Sequence, residues 1–127
     1  MTPREYLVRP LVAIDPERGA LILGEDVVEG QWICIVLRDA QAARDDLKLM
    51  LEKLGASVSG KAPRFGLYFN CAGRGSALYG QSGLDPELIH RRFGNLPLVG
   101  IESAFEISPT CGRPQVHMLT GVLLLAG

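Results

Sequence analysis

The chain has 127 residues, 47% of them hydrophobic and 21% charged, which suits a single domain, residues 1–127, built around one core. A formal net charge of −1 supplies no long-range attraction for phosphate-rich partners, and no aromatic residues interleave with Arg64, Arg74, Arg91 and Arg92 to stack on bases, so no nucleic acid is expected to bind. Met1 to Arg9 is polar and does not read as a signal peptide, and the most apolar run, Leu119 to Ala126, has about a third of the length needed to cross a bilayer, so no membrane partner is expected.

Taken in chain order, Pro10 to Ile14 and Ala20 to Leu23 are apolar runs separated by Asp15-Pro16-Glu17-Arg18-Gly19, which predicts a hairpin. Gln31 to Arg38 follows Gly30 and is rich in β-branched and aromatic residues, which predicts a third strand with Cys34 in the core. Asp39 can cap a helix whose buried stripe is Ala43, Leu47, Met50, Leu51 and Leu54, with Gly55 as its stop. Phe65 to Cys71 reads as a strand running into a glycine-rich loop from Ala72 to Gly83. Asp85 then caps a second helix with Pro86 in its first turn, Leu88, Ile89 and Phe93 on its buried face and Gly94 at its end. Leu96 to Ile101, expected to be central, and Val116 to Leu125 complete the strands. The predicted class is α+β: a mostly antiparallel sheet in the order βββαβαββ with two helices on one face.

Motifs of known chemistry are incomplete. The run from Gly55 to Ala62 nearly spells a phosphate-binding loop, but Ala62 has no hydroxyl for magnesium, a helix precedes it where a strand is required, and Pro63 opposes the α conformation at Ala62. Gly73-Arg74-Gly75 lacks the third glycine of a dinucleotide fingerprint, since Leu78 stands there. His90, His117 and the cysteines have no metal-ligand spacing, so neither a metal nor any other cofactor is expected. Three cysteines, Cys34, Cys71 and Cys111, without a close pair suit reduced thiols and a cytoplasmic location.

The stretch from Asn70 to Gly75 carries the most chemistry. Glycines at a strand end let main-chain amides approach a ligand, and the Arg74 guanidinium matches a carboxylate or phosphate with two parallel hydrogen bonds. The same residues also suit a tight turn with Arg74 on a surface carboxylate. Cys71 reads either as a thiolate favoured by Arg74 and nearby amides, with His117 and Glu106 as base and orienter, or as an inert buried residue. Glu106, between Phe105 and Ile107, needs a partner if buried and could take Arg74 or the ammonium group of a ligand.

Phe69-Asn70-Cys71-Ala72-Gly73-Arg74-Gly75 resembles the Phe-x-Cys-x-Gly-Arg-Gly motif of the C-terminal domain of the FIST family, named for F-box and intracellular signal-transduction proteins. Tyr6 to Pro10, Asp15 to Leu21, Arg38-Asp39-Ala40, Gly100, Glu106-Ile107 and His117 to Thr120 extend the resemblance over nearly the whole chain. It departs at Phe105, where the family usually has glycine, and at Pro114, where it often has asparagine. The resemblance implies a cytoplasmic sensory module of signal transduction that binds a small polar ligand, such as an amino acid or small carboxylate, through Asn70, Cys71, Gly73, Arg74, Gly75 and Glu106. It also implies a signalling protein partner or a separate FIST N-terminal-like subunit, and an apolar face that favours a homo-oligomer. A protein-interaction domain with a degenerate pocket and a Cys71-dependent enzyme are the alternatives.

Overall fold

The structure, a computed structural model, describes residues 6–58, 60–110 and 112–127; Met1 to Glu5, Ser59 and Cys111 lie outside them, as do the expectations that rest on those residues. The N-terminal hairpin forms as expected, with β1 (Leu11–Asp15) antiparallel to β2 (Ala20–Leu23). Its turn closes because Asp15 Oδ1 accepts from the Glu17 and Arg18 amides, while Gly19 takes the left-handed conformation at φ 61°.

The third expected strand does not form. Residues 31–39 carry no regular secondary structure, and Trp32, Ile33, Ile35, Val36 and Leu37 are exposed. Cys34 is exposed as well, which corrects its assignment to the core. High strand propensity reports a fit to a pleated, half-buried surface, and no strand among the described residues pairs with this run.

Asp39 caps α1 (Ala40–Ser57) as expected, its Oδ1 accepting from the Ala42 amide at 2.7 Å. Gly55 does not stop this helix, which continues to Ser57. A Cβ at position 55 would run into the Arg92 guanidinium, so the glycine serves the packing of α1 against the helix that carries Arg92. After β3 (Phe65–Cys71) come a short helix α2 (Ser76–Tyr79), which was not expected, and α3 (Leu84–Phe93). Asp85 sits inside the first turn of α3 and makes no capping bond; Gly83 is the N-cap and Gly94 ends the helix. The remaining strands are β4 (Leu98–Ser103), β5 (Glu106–Thr110), β6 (Arg113–His117) and β7 (Gly121–Ala126). The last predicted strand is thus two, separated by a turn in which Leu119 adopts φ 61°.

The class is α+β, with antiparallel pairs β1–β2, β3–β7 and β5–β6 and one parallel pair, β3–β4. β3 is the central strand of the order β4-β3-β7, so β4, expected to be central, lies at an edge. Leu47 and Leu51 of α1 and Leu88 and Ile89 of α3 gather around Tyr68 and Leu96, with Leu98, Leu123 and Leu125 packed against them. Strand side chains alternate, so Leu67 and Phe69, with their register partners Val99, Ile101, Val122 and Leu124, point to the opposite face. No helix among the described residues is long and apolar enough to cross a membrane.

Candidate functional site

The site grows from the register of β3. Tyr68 lies on the helix-facing side, and its neighbours are small: a Cβ at Gly100 of β4 would collide with the Tyr68 backbone, and one at Gly121 of β7 would collide with the Tyr68 ring. The two glycines seat the phenol beneath the loop that leaves β3. There the Tyr68 hydroxyl donates to Asp85 Oδ2 at 2.7 Å and lies 3.2 Å from Asn70 Oδ1.

Arg74 meets the same carboxylate. Its Nε donates to Asp85 Oδ2 at 2.8 Å and its Nη2 to Oδ1 at 3.3 Å, the two-pronged fork that the sequence reserved for an anion. Nη2 also donates to the Tyr79 hydroxyl at 2.6 Å, and the Tyr79 ring has Arg44 and Arg74 at 5.6 and 5.7 Å from its centroid. The pair is buried, with the Arg74 and Asp85 side chains 11% and 2% exposed. Burial opposes the Arg74 charge, but the hydrogen bonds and attraction of Asp85 outweigh it and hold the guanidinium above its ordinary pKa. Burial raises both phenols: Tyr68 well above the usual tyrosine range, with the Asp85 charge adding to the effect, and Tyr79 to about 12 against the opposing pull of Arg74.

Above this network lies a cleft of about 310 Å³, lined in part by Tyr68, Asn70, Gly75, Tyr79, Asp85, His90 and Glu102. It opens between the carboxyl end of the parallel pair β3–β4 and the start of α3. Glu102, register partner of Asn70, brings its carboxylate over Gly75, where an added Cβ would lie 3.4 Å from Oε1. The Tyr79 hydroxyl accepts from Arg74, and the neighbouring Asp85 carboxylate helps to hold its proton on.

Of the residues singled out in the sequence, Asn70 and Gly75 line the cleft. Arg74 braces its wall from behind. Gly73 accepts at its carbonyl from Arg38 Nη2 at 2.6 Å, and a Cβ there would come within 3.3 Å of Leu119. Cys71 is buried at 5% exposure. Glu106 is 2% exposed and is not paired with Arg74: Thr120 Oγ1 donates to its Oε2 at 2.9 Å, and Ser103 Oγ lies 3.3 Å from its Oε1. Phe105 is exposed and does not line the cleft. His117 bonds to Thr110 and the Ser108 carbonyl. Tyr68, Tyr79, Asp85 and Glu102 are the residues that sequence reasoning missed. The one available signal was an acid beside Pro86, and it also fits a helix cap. No group of three His, Cys, Asp or Glu side chains suited to a metal occurs among the described residues.

The comparisons with known proteins agree with the motif. Over 121 residues, 95% of this chain, it is 37% identical to an uncharacterized protein of Mycobacterium tuberculosis. Over the same length it is 34% identical to an uncharacterized protein of Mycobacterium bovis. The chain spans 31% of the length of each of these relatives. No solved structure matches it significantly. Residues 1–109 match the model of the FIST C domain, and the chain therefore belongs to that family of sensory-type domains of signal transduction.

Proposed function

We propose that the domain is a non-enzymatic sensing module in which the cleft over Asn70, Gly75, Tyr79 and Glu102 takes a small polar ligand of the amino-acid type. The observation that carries this reading is the pairing of an open cleft at a strand carboxyl end with a buried Arg74–Asp85–Tyr68 network that holds its wall in place. Glu102, over Gly75 in the cleft, is placed for an ammonium group. Arg74 acts as a positioning residue, because its fork is already filled by Asp85. Cys71, Gly73 and Glu106 support the loop and the adjoining β5–β7 connection from inside the protein. Binding shifts the loop between two states read by another polypeptide: a signalling partner, a separate FIST N-terminal-like subunit or a second copy.

A thermal-shift and calorimetric screen of amino acids, small carboxylates and small amines tests this reading. A ligand at a hundred times its Kd adds about 2.7 kcal/mol of stability. Glu102→Gln should remove most of that shift for ammonium-bearing ligands and spare simple carboxylates. A screen in which no compound raises the melting temperature, or in which Glu102→Gln changes nothing, rejects the cleft as a sensor.

The interaction reading is favoured by a separate observation, the apolar surface left open on residues 31–38 and on the outer face of the central sheet. A Cys71-dependent reaction is disfavoured, since the thiol is buried and His117 is engaged elsewhere.

A further inference from the structure

Among the described residues, no lysine or arginine lines the cleft. Arg74, behind its wall, gives Nε and Nη2 to Asp85 and Tyr79. The Tyr68 proton also goes to Asp85, and the same carboxylate helps to hold the Tyr79 proton on. The start of α3 opens on the cleft, but its first turn already carries Asp85 and Glu87, which offset the positive end of the helix, and Pro86 has no amide proton to offer. His90 Nε2 lies 3.2 Å from the Leu96 carbonyl, which can only accept, so in the neutral ring Nδ1 is an acceptor. A carboxylate entering the cleft thus meets no cation among the lining residues. Glu102 is the opposite case. Its carboxylate lies on the cleft wall, makes no hydrogen bond or ion pair among the described residues, and has the bare Gly75 beside its Oε1. Asp85 is compensated by Arg74, so Glu102 sets the sign of the cleft. Strand alternation puts Leu98, Gly100 and Glu102 on one face of β4, a line of about 13 Å that runs from apolar through bare to acidic. Leu84 and Pro86 add apolar wall across from it.

We infer that the cleft selects an organic amine, reading its ammonium group with Glu102 and its apolar body with Leu84, Pro86 and Leu98, and that it discriminates against a ligand's carboxylate. The inference rests on the sensing reading and narrows its ligand from the amino-acid type to the amine end of such a compound. An amine, or an amino acid whose carboxyl group is blocked as the amide, therefore binds more tightly than the free zwitterion. The reason is electrostatic. An ammonium group beside Glu102 makes a charge-assisted hydrogen bond, whereas the zwitterion also brings a carboxylate that loses water, finds no cation to receive it and is repelled by Glu102. A volume of about 310 Å³ suits a compact molecule of this kind.

Calorimetry on the intact chain with two matched series tests the inference. The aromatic series is phenylalanine, phenylalaninamide, phenethylamine and hydrocinnamate; the aliphatic series is leucine, leucinamide, isopentylamine and isocaproate. In at least one series the amine and the amide should bind about tenfold or more tightly than the free amino acid, and the acid that lacks an amino group should not bind. Glu102→Lys, at an exposed position of β4, should reverse the order in favour of the acid, with the far-ultraviolet circular dichroism unchanged. A free amino acid that binds as tightly as its amide overturns the inference and leaves the sensing reading in place. So does a Glu102→Lys chain that keeps the original order. A cleft that takes none of these compounds but binds another from the wider screen overturns the inference alone, whereas a wider screen without any ligand rejects the sensing reading and the inference together.

Discussion

Residues 6–39 and residues 40–127 are both rich in apolar side chains, yet only the second set builds a core. In the body, Leu47 and Leu51 of α1 meet Leu88 and Ile89 of α3 over Tyr68, because each element presents one apolar side and the strands are in register. In the arm, the β1–β2 hairpin is closed by its own turn, but Val12, Ile14, Leu21 and Ile22 remain exposed, as does the run that follows. Hydrophobic content does not make a core on its own. A second apolar layer must arrive at the right spacing, and the described residues place none over residues 6–39.

Substitutions that break this contrast should show it in their size. Removing one partner of the buried ion pair, as in Asp85→Ala, leaves the Arg74 charge uncompensated and should cost about 3–5 kcal/mol, read as a lower urea midpoint. Ile89→Ala, at a fully buried position of α3, should cost about 2–5 kcal/mol through lost transfer energy and the cavity left behind.

Alkaline pH probes the same body. Tyr79 is raised to about 12 from an unfolded value of 10.0, so between these values the folded state holds more protons than the unfolded one. Stability is therefore complete below about pH 10 and falls as pH rises towards 12, with Tyr68, also raised, acting in the same direction. Chemical unfolding across this range should show the loss, and Tyr79→Phe should reduce its slope.

Smaller effects complete the series. Asp39→Ala, at the junction of arm and body, removes the cap of α1 and should cost about 1 kcal/mol. Leu37→Ser, within the arm, should change monomer stability by less than about 0.5 kcal/mol, because the side chain touches little.

What could be read in the sequence was local or periodic. The hairpin turn, the Asp39 cap, the buried stripes of both long helices and the glycine end of α3 depend on residues at most a few positions apart, and they form as the spacing predicts. The family motif lies on the loop after β3, beside the proposed cleft. The strand-like composition of Gln31 to Arg38 and the stop at Gly55 misled, since one was judged without its missing neighbour and the other without Arg92 across the helix pair.

Composition, turn chemistry and apolar period were enough to determine the class of this protein, its helices and the loop that carries its motif. Only the tertiary structure decided that Arg74 answers to Asp85, eleven positions away, and that Glu106 rests on Ser103 and Thr120. A charged side chain taken out of water must find a partner wherever the fold delivers one, and strand pairing, which the linear order leaves open, decides which acid arrives.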